Sequence, residues 1–452
     1  MKQLGSIVID CINEKLAWFQ DKSQEIVENS FILKNLDNLI FVFISLVLIG
    51  SLFMGSEQIG LIALVVTALT VLKLFLHKGQ TITLASCNLF LLIFLGFNII
   101  SVINSTEFVY SVMGITKTFI YLSFYFSVIQ FLRYNREKIV PLFYLIASLA
   151  CFEGVVGIIQ NNMDLSNIST WQDTSYINPE DVVSRIYGTL LPYNPNLLGG
   201  YLVAAISSIL AVMFLSVESK KMKQFVIASV GFLITSLTLF FTGCRGAYLA
   251  LFSIVLGFIY ASWIVIKENE KLKKYWQIAV STIIGSGLIV MVSIPSILKR
   301  IMSILVMRED SSTSFRMNVY NSSLNMFTDN WLLGIGVGNK TFREVYGLYM
   351  ISGFDALSSY CVFLEMAVES GIFALLAYLI FLYLLISNSI KAFLSNTDLK
   401  FRILIFSAAI SVIAVMVHGF FDTIYFRPQV QFVYWIMVSI LVVLLQEKEI
   451  TE

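Results

Sequence analysis

The chain reads as an all-α polytopic membrane protein of about twelve transmembrane helices with both termini in the cytoplasm. Three observations predict this. Apolar runs of span length recur from about residue 37 to residue 446, the short connections between them alternate in charge, and two long polar segments, about 161–193 and 297–356, break the series. Of 452 residues, 58% are hydrophobic and 13% charged. An average soluble domain carries about 25% charge, so no sizeable soluble domain is expected. The net charge of +1 offers no bulk attraction for nucleic acid.

A span needs roughly 20 apolar residues. Candidates fall at about 37–54, 57–76, 82–103, 107–132, 138–160, 194–217, 223–242, 246–266, 276–296, 357–388, 401–420 and 429–446. They make up one membrane domain over 37–452. Residues 1–36 mix Lys15, Lys22 and Lys34 with Glu14, Asp21, Glu25 and Glu28, so no signal peptide is read there. Ile7, Ile9, Leu16 and Phe19 are compatible with one face of an amphipathic surface helix.

One set of connections holds Lys73 and Lys78, then Arg133, Arg136 and Lys138, then Lys220, Lys221 and Lys223, then Lys267 to Lys274, then Lys391 to Arg402. By the positive-inside rule that set is cytoplasmic, and the two long segments lie outside. Seven of the ten arginines then fall outside: Arg185, Arg245, Arg300, Arg308, Arg316, Arg343 and Arg427. Lysine serves orientation as a point charge, whereas the arginine fork matches phosphate and carboxylate oxygens. An external anion site is one reading. Solvated loop charges and lipid-headgroup anchors are the other.

Several motifs sharpen the first reading. Arg185 precedes Asn194-Pro195-Asn196, where Asn194 suits an N-cap and Pro195 the first turn of a span. Arg245 follows a very short turn, Thr242-Gly-Cys-Arg, and must lie near the membrane surface; headgroup snorkelling would also explain it. In the second long segment, Ser311 to Ser314 can cap a helix over about 315–327 with Arg316 and Tyr320 on one face. Gly334-Ile-Gly336-Val-Gly338 follows, and glycine turns of this kind can aim N–H groups at an anion.

Glu365 and Glu369 share a helical face within a span, which marks them as functional candidates. Lys117 and Glu153, two more intramembrane charges, could pair with each other. His418 and Asp422 sit four residues apart near the outer end of a late span. With two histidines (His77 and His418) and five cysteines without metal spacing, no metal centre or cofactor is expected.

Taken in order, the Arg185 to Tyr201 segment, Arg-Gly-Ala-Tyr at 245–248, Arg316 through Leu-Gly-Ile-Gly-Val-Gly-Asn at 333–339, and Glu-Ser-Gly at 369–371 resemble the O-antigen ligase and polymerase superfamily of membrane glycosyltransferases. The stretches 308–316, 356–371 and 418–428, with Trp171 ahead of Arg185, are similar to its inorganic-carbon (bicarbonate) transporter-like subgroup.

The superfamily resemblance implies a glycan carried on undecaprenyl pyrophosphate and passed to a lipid or glycan acceptor on the outer face of the bacterial inner membrane, without metal or nucleotide sugar. It implies that Arg185 and Arg316 hold the pyrophosphate, with Arg245 and Arg343 in support. Asn194, Asn196, Gly336, Gly338, Glu365 and His418 are, from the motifs above, further candidates for the substrate site. Family members carry a histidine eleven residues before the glycine of Glu-x-Gly. Here that position is Tyr360, so either such ligase activity is lost or acceptor activation falls to Tyr360, Glu369 or Glu365, with His418 a remote substitute. Membrane lipids are expected neighbours. The subgroup resemblance leaves an anion transporter as an alternative, and a non-catalytic partner in polysaccharide assembly is a third.

Overall fold

The computed structural model describes residues 2–163, 185–270, 273–274, 276–278, 280–281 and 311–451, and among them every regular element is helical. Most of the expected span at 276–296, Trp171, Arg300, Arg308 and most of the first long segment lie outside the described residues.

The N-terminal helix α1 spans Lys2–Asn29, and one turn, α2 (Phe31–Lys34), leads into the bundle. The helices that follow are α3 (Leu36–Phe53), α4 (Ser56–Leu76), α5 (Asn88–Asn104), α6 (Phe108–Tyr134), α7 (Ile139–Asn162), α8 (Pro195–Glu218), α9 (Met222–Phe241) and α10 (Arg245–Ile266). Beyond the undescribed stretch come α11 (Ser311–Asp329), α12 (Asn339–Tyr346), α13 (Val362–Ser395), α14 (Leu399–Gly419) and α15 (Pro428–Thr451).

Among the described residues, ten helices are long and apolar enough to cross a membrane, where the sequence suggested twelve spans over the whole chain. The run at 82–103 becomes α5, an apolar helix of 17 residues, because residues 80–87 are not helical and leave it short of span length. The protein is thus an integral membrane protein by the length and apolarity of its helices. The span expected from residue 357 begins instead at Val362. Residues 355–361 form a connection in which Tyr360 adopts a left-handed backbone, φ 56°.

α1 is not arranged quite as its apolar residues suggested. Leu16, Gln20, Ser23 and Val27 form its buried stripe, while Phe19 is exposed. The polar members of the stripe explain this. Gln20 donates to the carbonyls of Leu74 (2.8 Å) and Gln80 (2.9 Å), and Ser23 donates to that of Leu76 (3.0 Å). They satisfy carbonyls that the end of α4 and the turn after it leave open, so hydrogen bonds rather than apolar contact choose the face.

The bundle is built around α8 and α15, which are buried on nearly all sides, with α14 close behind. Their sequences are apolar all round, as a helix surrounded by other helices requires. Small and hydroxylic residues close the packing: Ser411 donates to the Ala204 carbonyl (2.6 Å), and the Tyr378 hydroxyl bonds those of Tyr425 and Tyr434, each at 2.8 Å. This central group positions the site. The N-termini of α8, α10 and α15 and the C-termini of α9 and α14 meet at one end of the molecule.

Candidate functional site

At that end, polar side chains converge on Asp422, in the turn after α14. Its carboxylate is buried and would be costly without partners. One oxygen, Oδ1, accepts from the Thr423 N–H (2.7 Å). The other, Oδ2, accepts from Asn196 Nδ2 (2.9 Å) and lies 3.8 Å from Arg316 Nη2. Asn196 turns its own Oδ1 to Arg185 Nη2 at 2.5 Å.

Each arginine is also tied to a backbone carbonyl: Arg185 Nε to Thr242 (2.7 Å) and Arg316 Nη1 to Phe421 (2.8 Å). Local sequence makes this possible. Asn194 caps α8 by accepting from the Asn196 N–H (2.8 Å), with Pro195 at the first position, as the sequence indicated. Gly243 has φ 67°, and a Cβ there would stand 2.9 Å from Arg185 Nε, so the turn between α9 and α10 must be glycine for the guanidinium to reach in.

Arg316 and Tyr320 do share a face of α11, and both meet Tyr360. The Tyr320 hydroxyl donates to the Tyr360 carbonyl (3.3 Å), and the Arg316 guanidinium stands 5.4 Å from the Tyr360 ring centre. Burial, with the nearby Asp422 charge adding to it, pushes the Tyr360 hydroxyl above its ordinary pKa. The phenol therefore stays protonated and acts as a donor. Ser358 Oγ accepts from Thr423 Oγ1 (2.7 Å), which fastens the Tyr360 segment to the Asp422 turn.

His418 is buried one turn before Asp422, its Nε2 3.4 Å from Cys244 Sγ. Burial opposes ionisation of the Cys244 thiol, but the adjoining His418 outweighs it and pulls the thiol below its ordinary pKa. Arg245, half-buried, opens α10 beside Cys244.

The two glutamates do different work. Glu365 reaches back to the Ser359 N–H (2.5 Å) and so holds the segment that carries Tyr360. Glu369 faces the glycine turn, with the Gly338 N–H and Lys117 within electrostatic reach of its carboxyl. The turn itself is not laid out as an anion cradle. The N–H groups of Ile335 and Gly336 go to the carbonyls of Val368 and Glu369, both at 3.0 Å, and that of Val337 goes to Ser111 Oγ (2.7 Å). These bonds are available because α13 is broken at Gly371, φ 79°, ψ 175°.

Arg343 lies apart on α12, in a surface pair with Asp355 (2.9 Å). Glu153, for which Lys117 was a candidate partner, bonds instead to the N–H (3.1 Å) and hydroxyl of Thr189.

The structure therefore gathers Arg185, Asn194, Asn196, Arg316, Tyr360 and His418 at one end, with Arg245 and Glu365 at its margin. It adds Asp422, Cys244 and Tyr320. Sequence reasoning noted Asp422 only as a neighbour of His418; the four-residue spacing of the two was the signal available.

A family model described as O-antigen ligase matches residues 230–379. The match runs from α9 into α13 and takes in Arg245, Arg316, Arg343, Tyr360, Glu365 and Glu369; Arg185, Asn196, His418 and Asp422 lie outside it. Over that stretch the chain is similar to the O-antigen ligase family, as the ordered motifs indicated, with no distinction in favour of the transporter-like subgroup. No curated protein matches the chain.

Proposed function

We propose that this membrane protein is a glycosyltransferase that moves a glycan from an undecaprenyl-pyrophosphate carrier to an acceptor hydroxyl on the non-cytoplasmic face. The observation that carries the reading is the convergence of Arg316 directly, and of Arg185 through the Asn196 amide, on one buried carboxylate at the end of the bundle. The charge alternation of the connections supports assigning that end to the outside.

In the reaction, the acceptor oxygen bonds to the anomeric carbon. The bond from that carbon to the pyrophosphate oxygen breaks, and its electron pair leaves with the pyrophosphate. Negative charge grows on the leaving oxygen, where fixed guanidinium groups stabilise it most. Arg316 is suited to this. One of its donors is taken by Phe421, Asp422 stands at ion-pair rather than hydrogen-bond distance, and the side chain is 31% exposed. Arg185, Asn196 and the protonated Tyr360 hydroxyl supply further donors.

The acceptor proton goes to His418, the group in the cluster whose ordinary pKa is near neutrality. His77, the other histidine, bonds the Leu33 carbonyl (2.9 Å) beside the N-terminal helix. Glu369 braces the glycine turn in this scheme. Arg245 adds positive charge at the margin.

The test is transfer by purified protein from an undecaprenyl-pyrophosphate oligosaccharide to candidate acceptors, beside the Arg185→Ala, Arg316→Ala double variant. Release of undecaprenyl pyrophosphate with extended product, abolished in the well-folded variant, supports the reading. Undiminished transfer by the double variant would sink it.

A further inference from the structure

Asp422 links the two arms of the cluster. A single carboxylate oxygen, Oδ2, receives Asn196 Nδ2 and faces Arg316 Nη2, and Asn196 passes the connection to Arg185. The other oxygen is held by the Thr423 N–H, which fixes the plane of the carboxylate. The arms come from unlike parts of the fold. Arg185 lies in the connection before α8, and Arg316 is on α11, outside the central helices. Each guanidinium has a backbone carbonyl of its own, Thr242 for Arg185 and Phe421 for Arg316, but those bonds do not tie one arm to the other, and without a shared partner ordering the two relative to each other would fall to the ligand.

We infer that Asp422 is a positioning residue that sets Arg185 and Arg316 in one geometry for a diphosphate. The inference rests on the transferase reading for the identity of that diphosphate. It goes beyond that reading in giving an acidic residue a favourable part in binding an anion. The geometry explains how an acid can help. Oδ2 lies 3.8 Å from Arg316 and reaches Arg185 only through a neutral amide. Neither guanidinium is locked into a bidentate pair with it, the form that would compete with the ligand most strongly.

Charge and positioning predict opposite signs, which makes the inference testable. On charge alone, removing Asp422 makes the cluster more positive and tightens anion binding. If Asp422 positions the arginines, removing it weakens binding.

The experiment is titration of inorganic pyrophosphate into the purified full-length protein in nanodiscs. The variants are Asp422→Ala, Asp422→Asn and Asn196→Ala, each checked for monodispersity and thermal stability. Asp422→Ala is expected to weaken binding about tenfold, the scale of one lost charge-assisted contact. Asp422→Asn, which can still accept from Asn196, is expected to lose less. Asn196→Ala, which leaves every charge in place, is expected to lose as much as the Arg185 arm contributes. If Asp422→Ala does not fold, Asn196→Ala decides. Tighter or unchanged binding in the decisive variant overturns the inference, as does a wild type that does not bind pyrophosphate. Glycan transfer is read in a separate assay. A protein that binds pyrophosphate in this pattern without transferring glycan would refute the transferase and leave the positioning role standing.

Discussion

Two polar regions of this molecule, the arginine cluster around Asp422 and the glycine turn against α13, are built in opposite ways. In the first, side chains meet side chains. Asp422, Asn196, Arg185 and Arg316 come from four separate segments, and Arg316 remains partly exposed with donors to spare. In the second, backbone meets backbone. N–H groups of residues 335 and 336 close on carbonyls of 368 and 369, and the N–H of Ile372 closes on the carbonyl of Trp331 (2.8 Å). A site for a charged ligand needs donors that the fold has not consumed. The glycine turn, for all its resemblance to an anion cradle, has used those donors to join a broken helix. The cluster has kept some back.

The comparison can be broken most forcefully in the cluster. Arg185→Ala with Arg316→Ala should cut glycan transfer by about 10³-fold or more, since losing one fixed donor to a developing anion commonly costs about 10²–10³-fold. Thermal stability and membrane insertion should stay near wild type. Steady-state transfer beside a melting curve checks this, and an activity loss that merely follows unfolding would count against it.

The glycine turn should respond the other way round. A Cβ at Gly371 would stand 2.3 Å from the Leu332 carbonyl oxygen, on a backbone at φ 79°. Gly371→Ala should therefore lower stability by roughly 2–4 kcal/mol, the range for strain combined with overpacking. Protein that does fold should bind pyrophosphate normally. Melting temperature and yield are the readouts; an unchanged melt would mean that the backbones do not approach this closely.

A smaller effect sharpens the cluster's boundary. Cys244→Ala takes away the thiol beside His418 Nε2. It should slow transfer only a few-fold, about 1 kcal/mol, the usual net worth of one hydrogen bond. A loss as large as that of the arginines would give Cys244 a direct part in the chemistry. Smallest of all is Arg343→Ala. Its pair with Asp355 is at the surface, both side chains more than half exposed. Such pairs contribute about 0–1 kcal/mol. Transfer should be nearly unchanged, and a large drop would extend the site to α12.

Much of this could be read from the chain alone. Ten of the twelve expected spans are long apolar helices, because a bilayer imposes a length and an apolarity that a local run of residues either meets or does not. The cap at Asn194-Pro195 is equally local: an N-cap side chain and a proline act within one turn. Arg185 and Arg316 were singled out by their residue type and order. The superfamily likeness, now matched over residues 230–379, came from the same order.

What tertiary structure alone decided is how distant residues pair. Glu153 bonds Thr189 rather than Lys117, Glu365 holds the Tyr360 segment, and Glu369 turns to Gly338, although the three acids look alike in a list of intramembrane charges. Asp422 joins Arg185 to Arg316 only because the ends of α8, α10, α14 and α15 are brought level by packing along their whole lengths. Periodicity tells which face of a helix is apolar. Which neighbour covers that face, and which helix ends then coincide, depends on close packing among all the helices at once, and no stretch of sequence carries that by itself.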